Sequence, residues 1–323
     1  MFFCLKYSKI IATGSYLPEK ILTNKDLEQL VETNDEWIFE RTGIRQRRIV
    51  AAGEKTSDMA YQAALNALAM AQMDACEIDL IIVATSTPDA IFPSTSCIVQ
   101  NKLGIKTKAT FDVQAACTGF IYALTTADCY IRSGMAKTAL VIGADSMSRI
   151  VDYNDRGTCI LFGDGAGAAI LQASDEPGVL GCDIRADGAY NSILTCDGHL
   201  YNGEIQGNPY ISMDGQAVFK FAVRSLTAVA KELAKKIGVD LADVNWVIPH
   251  QANIRILEAT AKLLGTDMKH VVTTVEEHGN TSAASIPLAF DCAVRDGRIQ
   301  RGDLLLLEGV GAGFSWGASF IKY

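Results

Sequence analysis

One cysteine of this chain stands where a predicted strand passes into a predicted helix. Cys117 lies in FDVQAACTGFIYAL (111–124), after a β-prone apolar stretch and before residues with helical spacing. The positive end of a helix dipole and its free N–H groups favour a thiolate, so this position predicts a lowered cysteine pKa. Small neighbours leave room for an acyl group. Cys117 is therefore the candidate nucleophile, whereas a buried structural thiol is the usual role of a cysteine.

A weak internal repeat indicates how Cys117 is positioned. The short apolar runs LIIVAT, ALVIGA and LLLLEG are typical of strands buried on both faces, and helical segments separate them. The two halves of the chain share one order of elements, which predicts a duplicated, layered α/β/α core. Equivalent positions are offset by 163 to 166 residues, pairing Ile82 with Val247, Cys117 with Asn280, and Leu140 with Leu306.

Two further polar residues are expected near Cys117. His250 follows the predicted strand VNWVI, opposite Ser86 of the first half, and Asn280 lies in HGNTS at the repeat position of Cys117. Strand ends and helix N-termini of layered α/β proteins converge on a shared cleft, so Cys117, His250 and Asn280 can meet there. Taken singly, His250 is more often a structural histidine and Asn280 a turn or N-cap residue. His278, before the turn glycine, is left out of this set.

Composition limits the class of protein. The chain has 323 residues, 49% of them hydrophobic and 20% charged, with a net charge of −8. This predicts a globular protein of about two domain-sized halves and argues against nucleic acid as a partner. The longest uncharged stretch is too short for a membrane span, so a cytoplasmic location is expected. Nine irregularly spaced cysteines without a C-x-x-C pair predict neither disulfides nor a zinc site, and most are expected to be reduced core residues.

One glycine-rich segment resembles a nucleotide-binding loop only superficially. GDGAGAA (163–169) lies between apolar segments and lacks the strand-to-helix context of a dinucleotide site, and the chain has no Walker-type loop. The segment is predicted to be a close-packed turn.

Four motifs, in order, resemble β-ketoacyl-acyl carrier protein synthase III of the thiolase-like condensing-enzyme superfamily: DVQAACTGF, PHQANIRI, HGNTSAASIP and EGVGAGFSWG. NDEWIFERTGIRQRRI and DRGTCILFGDGAGAAIL extend the likeness over nearly the whole chain. The resemblance implies a five-layered α/β/α/β/α fold with thiolase-like halves at 1–175 and 176–323. It also implies initiation of type II fatty-acid synthesis by decarboxylative condensation of a short acyl-CoA with malonyl-acyl carrier protein.

The resemblance assigns roles to the three polar residues. Cys117 takes the acyl group from CoA, and His250 and Asn280 stabilise the enolate formed when the malonyl group loses carbon dioxide. Backbone N–H groups of Cys117 and Ala312 form the oxyanion hole. The family often has an aromatic residue at the position of Val310 and glycine at that of Ala312.

Other residues are implied to bind substrates. Trp37 and Arg41 are four residues apart and share a helix face, and Trp37 with Arg156 is implied to sandwich the adenine of CoA. Because the carrier protein is acidic, its docking needs a local positive patch. A homodimer without metal or other cofactor is implied, with acyl-CoA as a substrate. The remaining implied contacts are Asn253 for CoA, Lys220, Arg255 and Lys262 for the carrier protein, and Phe92, which closes the acyl pocket of the partner subunit.

Three alternative functions remain open on sequence grounds. A related condensing enzyme could make a quinolone or a polyketide starter with the same three residues. A cysteine thioesterase would use His250 as a base on water, and a non-catalytic scaffold would need none of them. The sequence does not define the primer, because a preference of one methylene depends on pocket shape and is worth about 1–3 kcal/mol.

Overall fold

The computed structural model describes residues 7–323. The strands are β1 Tyr7–Tyr16, β2 Lys20–Thr23, β3 Gln46–Ile49, β4 Leu80–Ala84, β5 Ala109–Val113, β6 Thr138–Ser146, β7 Asp164–Ser174, β8 Val179–Ala186, β9 Leu194–Thr195, β10 His199–Tyr201, β11 Glu204–Gln206, β12 Ser212–Met213, β13 Trp246–Pro249, β14 Leu304–Gly311 and β15 Ser315–Lys322. The helices are α1 Asn24–Leu27, α2 Asp35–Thr42, α3 Thr56–Ala71, α4 Thr95–Lys102, α5 Gly119–Arg132, α6 Arg156–Cys159, α7 Gly215–Ile237, α8 Ile254–Leu264, α9 Val275–His278 and α10 Ser285–Arg295.

Two large mixed sheets organise the chain. The first has the order β1-β7-β6-β4-β5, in which β4 pairs in parallel with both β5 and β6. The second has the order β13-β14-β15-β8, in which β13 and β14 are parallel. The boundary predicted between residues 175 and 176 falls between β7, the last strand of the first sheet, and β8 of the second. The division into two domains stays a prediction.

The sheets and helices form five layers. α5 and α10 lie between the two sheets, where their apolar faces share one core with Ile82 of β4 and Leu305 of β14. The opposite face of the first sheet packs on α3, and that of the second packs on α7 and α8. Successive residues of each central strand therefore enter different cores, since side chains alternate between sheet faces. The predicted five-layered α/β/α/β/α fold is confirmed.

The repeat is present, but in a different register from the predicted one. Leu80 pairs with Ala139 in the first sheet and Trp246 with Leu305 in the second, an offset of 166 residues in both strands. The same offset relates two 3-10 turns, Ala116–Thr118 and Ser282–Ala284, and the first residues of α5 and α10. The counterpart of Cys117 is thus Ala283, and the predicted pairing with Asn280 was wrong by three residues. By the same offset, His250 corresponds to Ala84 and not to Ser86.

Two smaller predictions also fail. The glycine-rich segment 163–169 is largely the buried start of β7, not a turn, and a Cβ at Gly167 would lie 2.6 Å from the backbone N of Leu288. Its glycines therefore let α10 approach the sheet. The cysteines are free as predicted at the eight described positions, but four of them are exposed, so they are not mostly core residues. Cys4 lies outside the described residues.

The described residues contain neither a candidate membrane-spanning helix nor a candidate metal site. No helix within residues 7–323 has both the length and the apolar character needed to cross a bilayer. No group of three or more His, Cys, Asp or Glu side chains in this part of the chain is arranged to hold a metal ion.

Candidate active site

Cys117 lies at the junction of the two halves. β5 ends at Val113, the 3-10 turn Ala116–Thr118 follows, and α5 begins at Gly119. Ala116 has a left-handed φ of 46°, which turns the chain sharply before the helix. Cys117 is 6% exposed and lines two cavities, of about 580 and 130 Å³. The structure therefore places the candidate nucleophile where two cavities meet.

The acidity of Cys117 differs from the prediction. The pKa of its thiol is raised to about 12, mainly by burial; Ser282 acts in the opposite direction, and the Asp145 carboxylate adds a smaller increase. The expected lowering by the helix N-terminus is wrong for the free protein, because desolvation penalises a thiolate in this position. Cys117 rests as a thiol, and it must lose a proton when it reacts.

The larger cavity is lined by residues that follow β4, β5 and β6, among them Ser86, Gln114 and Met147, and by the segment that carries β9 to β11. Aliphatic and aromatic side chains provide most of its lining, with Arg149 and His199 among the polar residues. This lining suits an apolar acyl chain attached to Cys117. Its apolar residues are Met147, Ile150, Phe162, Leu194, Leu200, Ile205, Pro209 and Ile211.

His250 is held as a neutral ring at the narrow cavity. It follows β13, and its backbone N–H donates to the carbonyl of Glu308 at 2.8 Å. Its Nδ1 lies 2.6 Å from Oγ of Ser285, and the backbone N–H of Gln251 points to the same oxygen at 3.4 Å. In the tautomer in which this hydroxyl donates to Nδ1, the ring proton is on Nε2. Burial lowers the pKa of His250 to about 3, so the ring is a hydrogen-bond donor at neutral pH.

Asn280 is oriented by its backbone neighbours. Its N–H donates to Leu161, its carbonyl accepts from Gly163, and its Oδ1 accepts the N–H of Ser282 at 2.9 Å. Since Oδ1 is occupied, the amide nitrogen Nδ2 is the group free to donate into the narrow cavity. Cys117, His250 and Asn280 all line that cavity. The structure thus brings together the three residues that the sequence singled out.

The glycine-rich loop after β14 lies against the backbone of Cys117. A Cβ at Gly311 would be 2.7 Å from the backbone N of Cys117, so only glycine fits there. Ser315 fixes the loop, because its Oγ lies 3.2 Å from the Ala115 carbonyl and its own carbonyl accepts from Thr118. Ala312 lines the larger cavity beside Cys117. Cys117 and Ala312 therefore both border the larger cavity.

The predicted CoA contacts lie on α2, at the start of α6 and at the N-terminus of α8. The guanidinium carbons of Arg41 and Arg156 are 4.7 and 4.8 Å from the Trp37 ring centroid. Arg156 rests directly on the indole, so an adenine could enter between them only if Arg156 moved. Asn253 caps α8 and donates to the carbonyl of Arg41 at 2.9 Å, which joins α8 to the C-terminal end of α2.

The predicted docking residues are on neighbouring helices. Lys220 lies on α7, and Arg255 and Lys262 lie on α8, which packs against α7. All three are exposed, although Arg255 also donates to the Glu40 carbonyl at 3.0 Å. Phe92 is 83% exposed in the segment before α4 and lines neither of the two cavities at Cys117.

Four residues near the site were missed by sequence reasoning. Ser285 holds His250, Ser282 and Asp145 shift the pKa of Cys117, and the side-chain oxygens of the fully buried Glu308 have no hydrogen-bond partner in the described chain. The corrected repeat offset could have drawn attention to Ser282, the counterpart of Ala116. No spacing signal indicates the other three, because their contacts join elements distant in sequence.

Comparisons with known proteins agree over the whole chain. The family described as 3-oxoacyl-[acyl-carrier-protein] synthase III matches residues 111–188, and its C-terminal part matches residues 234–323. The β-ketoacyl-[acyl-carrier-protein] synthase III of Laribacter hongkongensis is 56% identical over 319 residues, covering 99% of this chain and 100% of that one. The enzyme of the same name from Neisseria meningitidis serogroup C is 58% identical over 320 residues, with the same coverage.

A solved structure agrees with the fold. The crystal structure of 3-oxoacyl-[acyl-carrier-protein] synthase III from Aquifex aeolicus superposes with a TM-score of 0.93 at 47% identity, covering 98% of this chain and 100% of that one. The resemblance and the fold class expected from the sequence are both confirmed. The chain belongs to the 3-oxoacyl-[acyl-carrier-protein] synthase III family of condensing acyltransferases.

Proposed function

We propose that this chain condenses a short acyl-CoA with malonyl-acyl carrier protein, with loss of carbon dioxide, to give a 3-oxoacyl-acyl carrier protein that starts type II fatty-acid synthesis. One observation carries the proposal. Cys117 lines both an apolar cavity and a narrow cavity in which His250 and Asn280 present hydrogen-bond donors. An acyl group and a malonyl thioester can therefore meet at one sulfur atom.

In the first half-reaction, the Cys117 sulfur attacks the acyl-CoA carbonyl. The carbon–sulfur bond to Cys117 forms, the bond to CoA breaks, and CoA leaves as its thiol. Backbone N–H groups of Cys117 and Ala312 stabilise the oxyanion, and the tight fit of Gly311 against Cys117 supports this placement. The acyl chain then occupies the apolar cavity.

In the second half-reaction, malonyl-acyl carrier protein uses the narrow cavity. His250 donates through Nε2 and Asn280 through Nδ2 to the thioester oxygen, which becomes negatively charged as carbon dioxide departs. The resulting carbanion attacks the acyl-Cys117, and the Cys117 sulfur leaves. A neutral His250 suits donation and not base catalysis, because burial lowers its pKa to about 3.

Substrate delivery uses the surface around α2, α7 and α8. Trp37, Arg41, Arg156 and Asn253 bind CoA, after Arg156 rotates off the indole to admit the adenine. The exposed cations Lys220, Arg255 and Lys262 attract the acidic carrier protein, a local patch on a chain whose net charge is −8.

The working form in this proposal is a cytoplasmic homodimer. β5 is an edge strand of the first sheet and is only partly covered, so it offers a free edge for a second copy. Ile91 and Phe92, which lie just before α4, are both strongly exposed. In a dimer, Phe92 closes the acyl cavity of the partner subunit. The reaction needs no metal or other cofactor.

The test is intact-mass measurement of the protein after incubation with acetyl-CoA, followed by malonyl-acyl carrier protein. We expect an acetyl adduct on Cys117 that disappears as 3-oxobutyryl-acyl carrier protein forms. Rapid release of free acetate would instead support a thioesterase, and the absence of any adduct would support a scaffold. A panel of acyl-CoA primers of different length then defines the chain preference.

A further inference from the structure

The larger cavity at Cys117 contains one permanent charge. Among the described residues that line it there is no Asp, Glu or Lys, and Arg149 is the one arginine. The described residues that line the narrow cavity include no Asp, Glu, Lys or Arg. Because the chain as a whole has a net charge of −8, this unopposed cation is a local feature of the site and not part of a generally basic surface.

Arg149 is positioned by its backbone neighbours and not by its side chain. Just before it, Ser148 donates through its N–H and its Oγ to the Asp164 carboxylate, at 2.8 and 2.6 Å. Just after it, the Ile150 carbonyl accepts from the N–H of Ile211 at 2.9 Å. Arg149 itself is exposed, and its guanidinium makes no hydrogen bond, ion pair or cation-π contact within the described part of the chain. The structure thus fixes the backbone at this cation and leaves its donors free.

Two further polar residues of the same cavity have unused hydrogen-bonding capacity. The N–H of Ser86 donates to Asp145 at 2.7 Å, but its Oγ has no hydrogen-bond partner among the described residues. Nδ1 of His199 lies 3.0 Å from the Asp197 carbonyl, which can only accept, so Nδ1 carries the proton and Nε2 is free. Ser86 and His199 both line the cavity together with Arg149. The cavity therefore offers a cation and free polar atoms as well as apolar surface.

The proposed substrates leave most of this cavity and its cation unused. Its volume of about 580 Å³ is within the range of sites for whole small molecules, about 300–1,000 Å³, so an acetyl group fills little of it. CoA does not account for the cation, because Asn253 lines the narrow cavity, and Trp37 and Arg156 line neither cavity. Phe92, which the proposed dimer brings to the cavity of the partner subunit, is uncharged and leaves Arg149 without a counter-ion. A longer acyl group that ends in an anion would use both features.

We propose that Arg149 binds the terminal carboxylate of an acyl group on Cys117, so that the site accepts CoA monothioesters of short dicarboxylic acids as primers. Carboxylate and guanidinium form two parallel charge-assisted hydrogen bonds, a geometry that suits arginine. The thioester end reacts as in the first half-reaction: the bond from the acyl carbon to Cys117 forms, the bond to CoA breaks, and the thiol proton leaves with CoA. The terminal carboxylate is unchanged. This inference rests on the proposed function, because it names a class of primer for the same site.

The test measures single-turnover acylation by intact mass, with pairs of acyl-CoA primers in competition. Each pair contains succinyl-, glutaryl- or adipoyl-CoA and the straight-chain acyl-CoA with the same number of carbons, so only the terminal group differs. We expect at least one of the three dicarboxylic primers to acylate the parent protein. For that pair, the ratio of the dicarboxylic to the straight-chain rate constant should be about 10-fold or more higher in the parent than in Arg149→Met, because a charge-assisted hydrogen bond is lost. Added salt should lower the parent ratio.

Two further variants make the result specific to the charge at this position. Arg149→Lys keeps the cation without the two-pronged geometry, so its ratio should lie between those of the parent and Arg149→Met, and it replaces Arg149→Met if that variant unfolds. Lys137→Met removes an exposed cation at the opposite end of β6, roughly 30 Å away along the strand, that lines neither cavity. This control should keep the parent ratio.

The outcomes separate this inference from the proposed function. If acetyl-CoA itself leaves no adduct on the parent protein, the proposed function fails. If acetyl-CoA acylates the parent but none of the three dicarboxylic primers does, the inference is wrong. It is also wrong if Arg149→Met has the same ratio as the parent and Lys137→Met.

Discussion

The two turns that begin the central helices have the same backbone but different chemistry. Ala116 and Ser282, 166 residues apart, both have left-handed φ angles, of 46° and 52°, and each opens a 3-10 turn that leads into a central helix. In the first half, the next residue is the proposed nucleophile, Cys117; in the second, it is Ala283. The duplicated fold thus supplies two equivalent positions at the centre of the molecule, and only one holds a reactive side chain.

The residues that pack against these two turns also differ between the halves. Asp145, at the end of β6, accepts the N–H of Ala283 at 3.0 Å. Its counterpart 166 residues later is Gly311, which presses on the backbone N of Cys117 but has no side chain to accept from it. One amide is therefore bonded within the protein. In the proposed function, the other is left for a substrate oxygen, so that a symmetric scaffold would provide a single oxyanion site.

Replacing the nucleophile should have the largest effect. Cys117→Ser is expected to abolish acylation, because an alcohol with the same burial is a far weaker acid than a thiol. Intact mass after incubation with acetyl-CoA measures the adduct, and the exposed Cys97→Ser is the control that should keep it. An adduct that persists in Cys117→Ser and maps to Cys97 or Cys159 would overturn the site assignment.

Giving Gly311 a side chain, as its first-half counterpart Asp145 has, should damage the proposed oxyanion site. In Gly311→Ala, the new Cβ would lie 2.7 Å from the Cys117 N and 3.0 Å from the Thr118 N, so backbone must shift. We expect acylation to fall about 10²–10³-fold, the usual cost of one lost oxyanion donor. Gly188→Ala, where no atom lies within 4 Å of the new Cβ, should react like the parent. Equal acylation rates in both variants would contradict the placement of the oxyanion site.

A buried acid in β14 makes the contribution of this strand to stability depend on pH, unlike that of the equivalent strand β6. Glu308 pairs with Pro249 just as Ile142 pairs with Val83. Both side chains are 0% exposed, but Glu308 carries a carboxyl group, and burial raises its pKa to about 8. Because the folded-state pKa is above the ordinary 4.5, this group binds its proton more tightly when folded. Its contribution to stability is complete below pH 4.5 and is lost as the pH rises to about 8.

Glu308→Gln should therefore gain stability relative to the parent as the pH rises. We expect a gain of about 1–3 kcal/mol at pH 8.5, and little or none at pH 4.5. Urea unfolding of both proteins at the two pH values measures the difference. A gain that is the same at both pH values would show that folding does not change the pKa of Glu308.

The smallest effect is expected at Ala116, whose left-handed backbone conformation is shared by Ser282 in the other turn. Ala116→Gly relieves a left-handed φ, but glycine also costs about 0.5–1 kcal/mol of backbone entropy on folding. The free energy of unfolding should change by less than about 1 kcal/mol. Ala123→Gly, in the interior of α5, has no strain to relieve and should lose more. If Ala116→Gly is the more destabilised of the two, the turn is not strained.

Elements with strong local signals were predictable from the sequence, and long-range geometry was not. Apolar runs identified β4, β6, β13 and β14, and motif spacing identified Cys117, His250 and Asn280. The exact register of the repeat was missed, because its clearest marker is a left-handed φ at Ala116 and Ser282, which leaves no trace in residue type. The direction of the Cys117 pKa shift was also missed, because burial depends on packing between the two halves, which a local helix-dipole argument omits.

The central claim is that the site divides its chemistry between Cys117, which takes the acyl group, and His250 with Asn280, which stabilise the enolate. The direct test measures acetyl-enzyme by intact mass and labelled carbon dioxide release from malonyl-acyl carrier protein, side by side, in His250→Ala and Asn280→Ala. We expect both variants to acquire the acetyl group, with His250→Ala somewhat slower, and to lose decarboxylation about 10²–10³-fold or more. Decarboxylation at the parent rate with no acylation would contradict the account and would make His250 the base that activates Cys117.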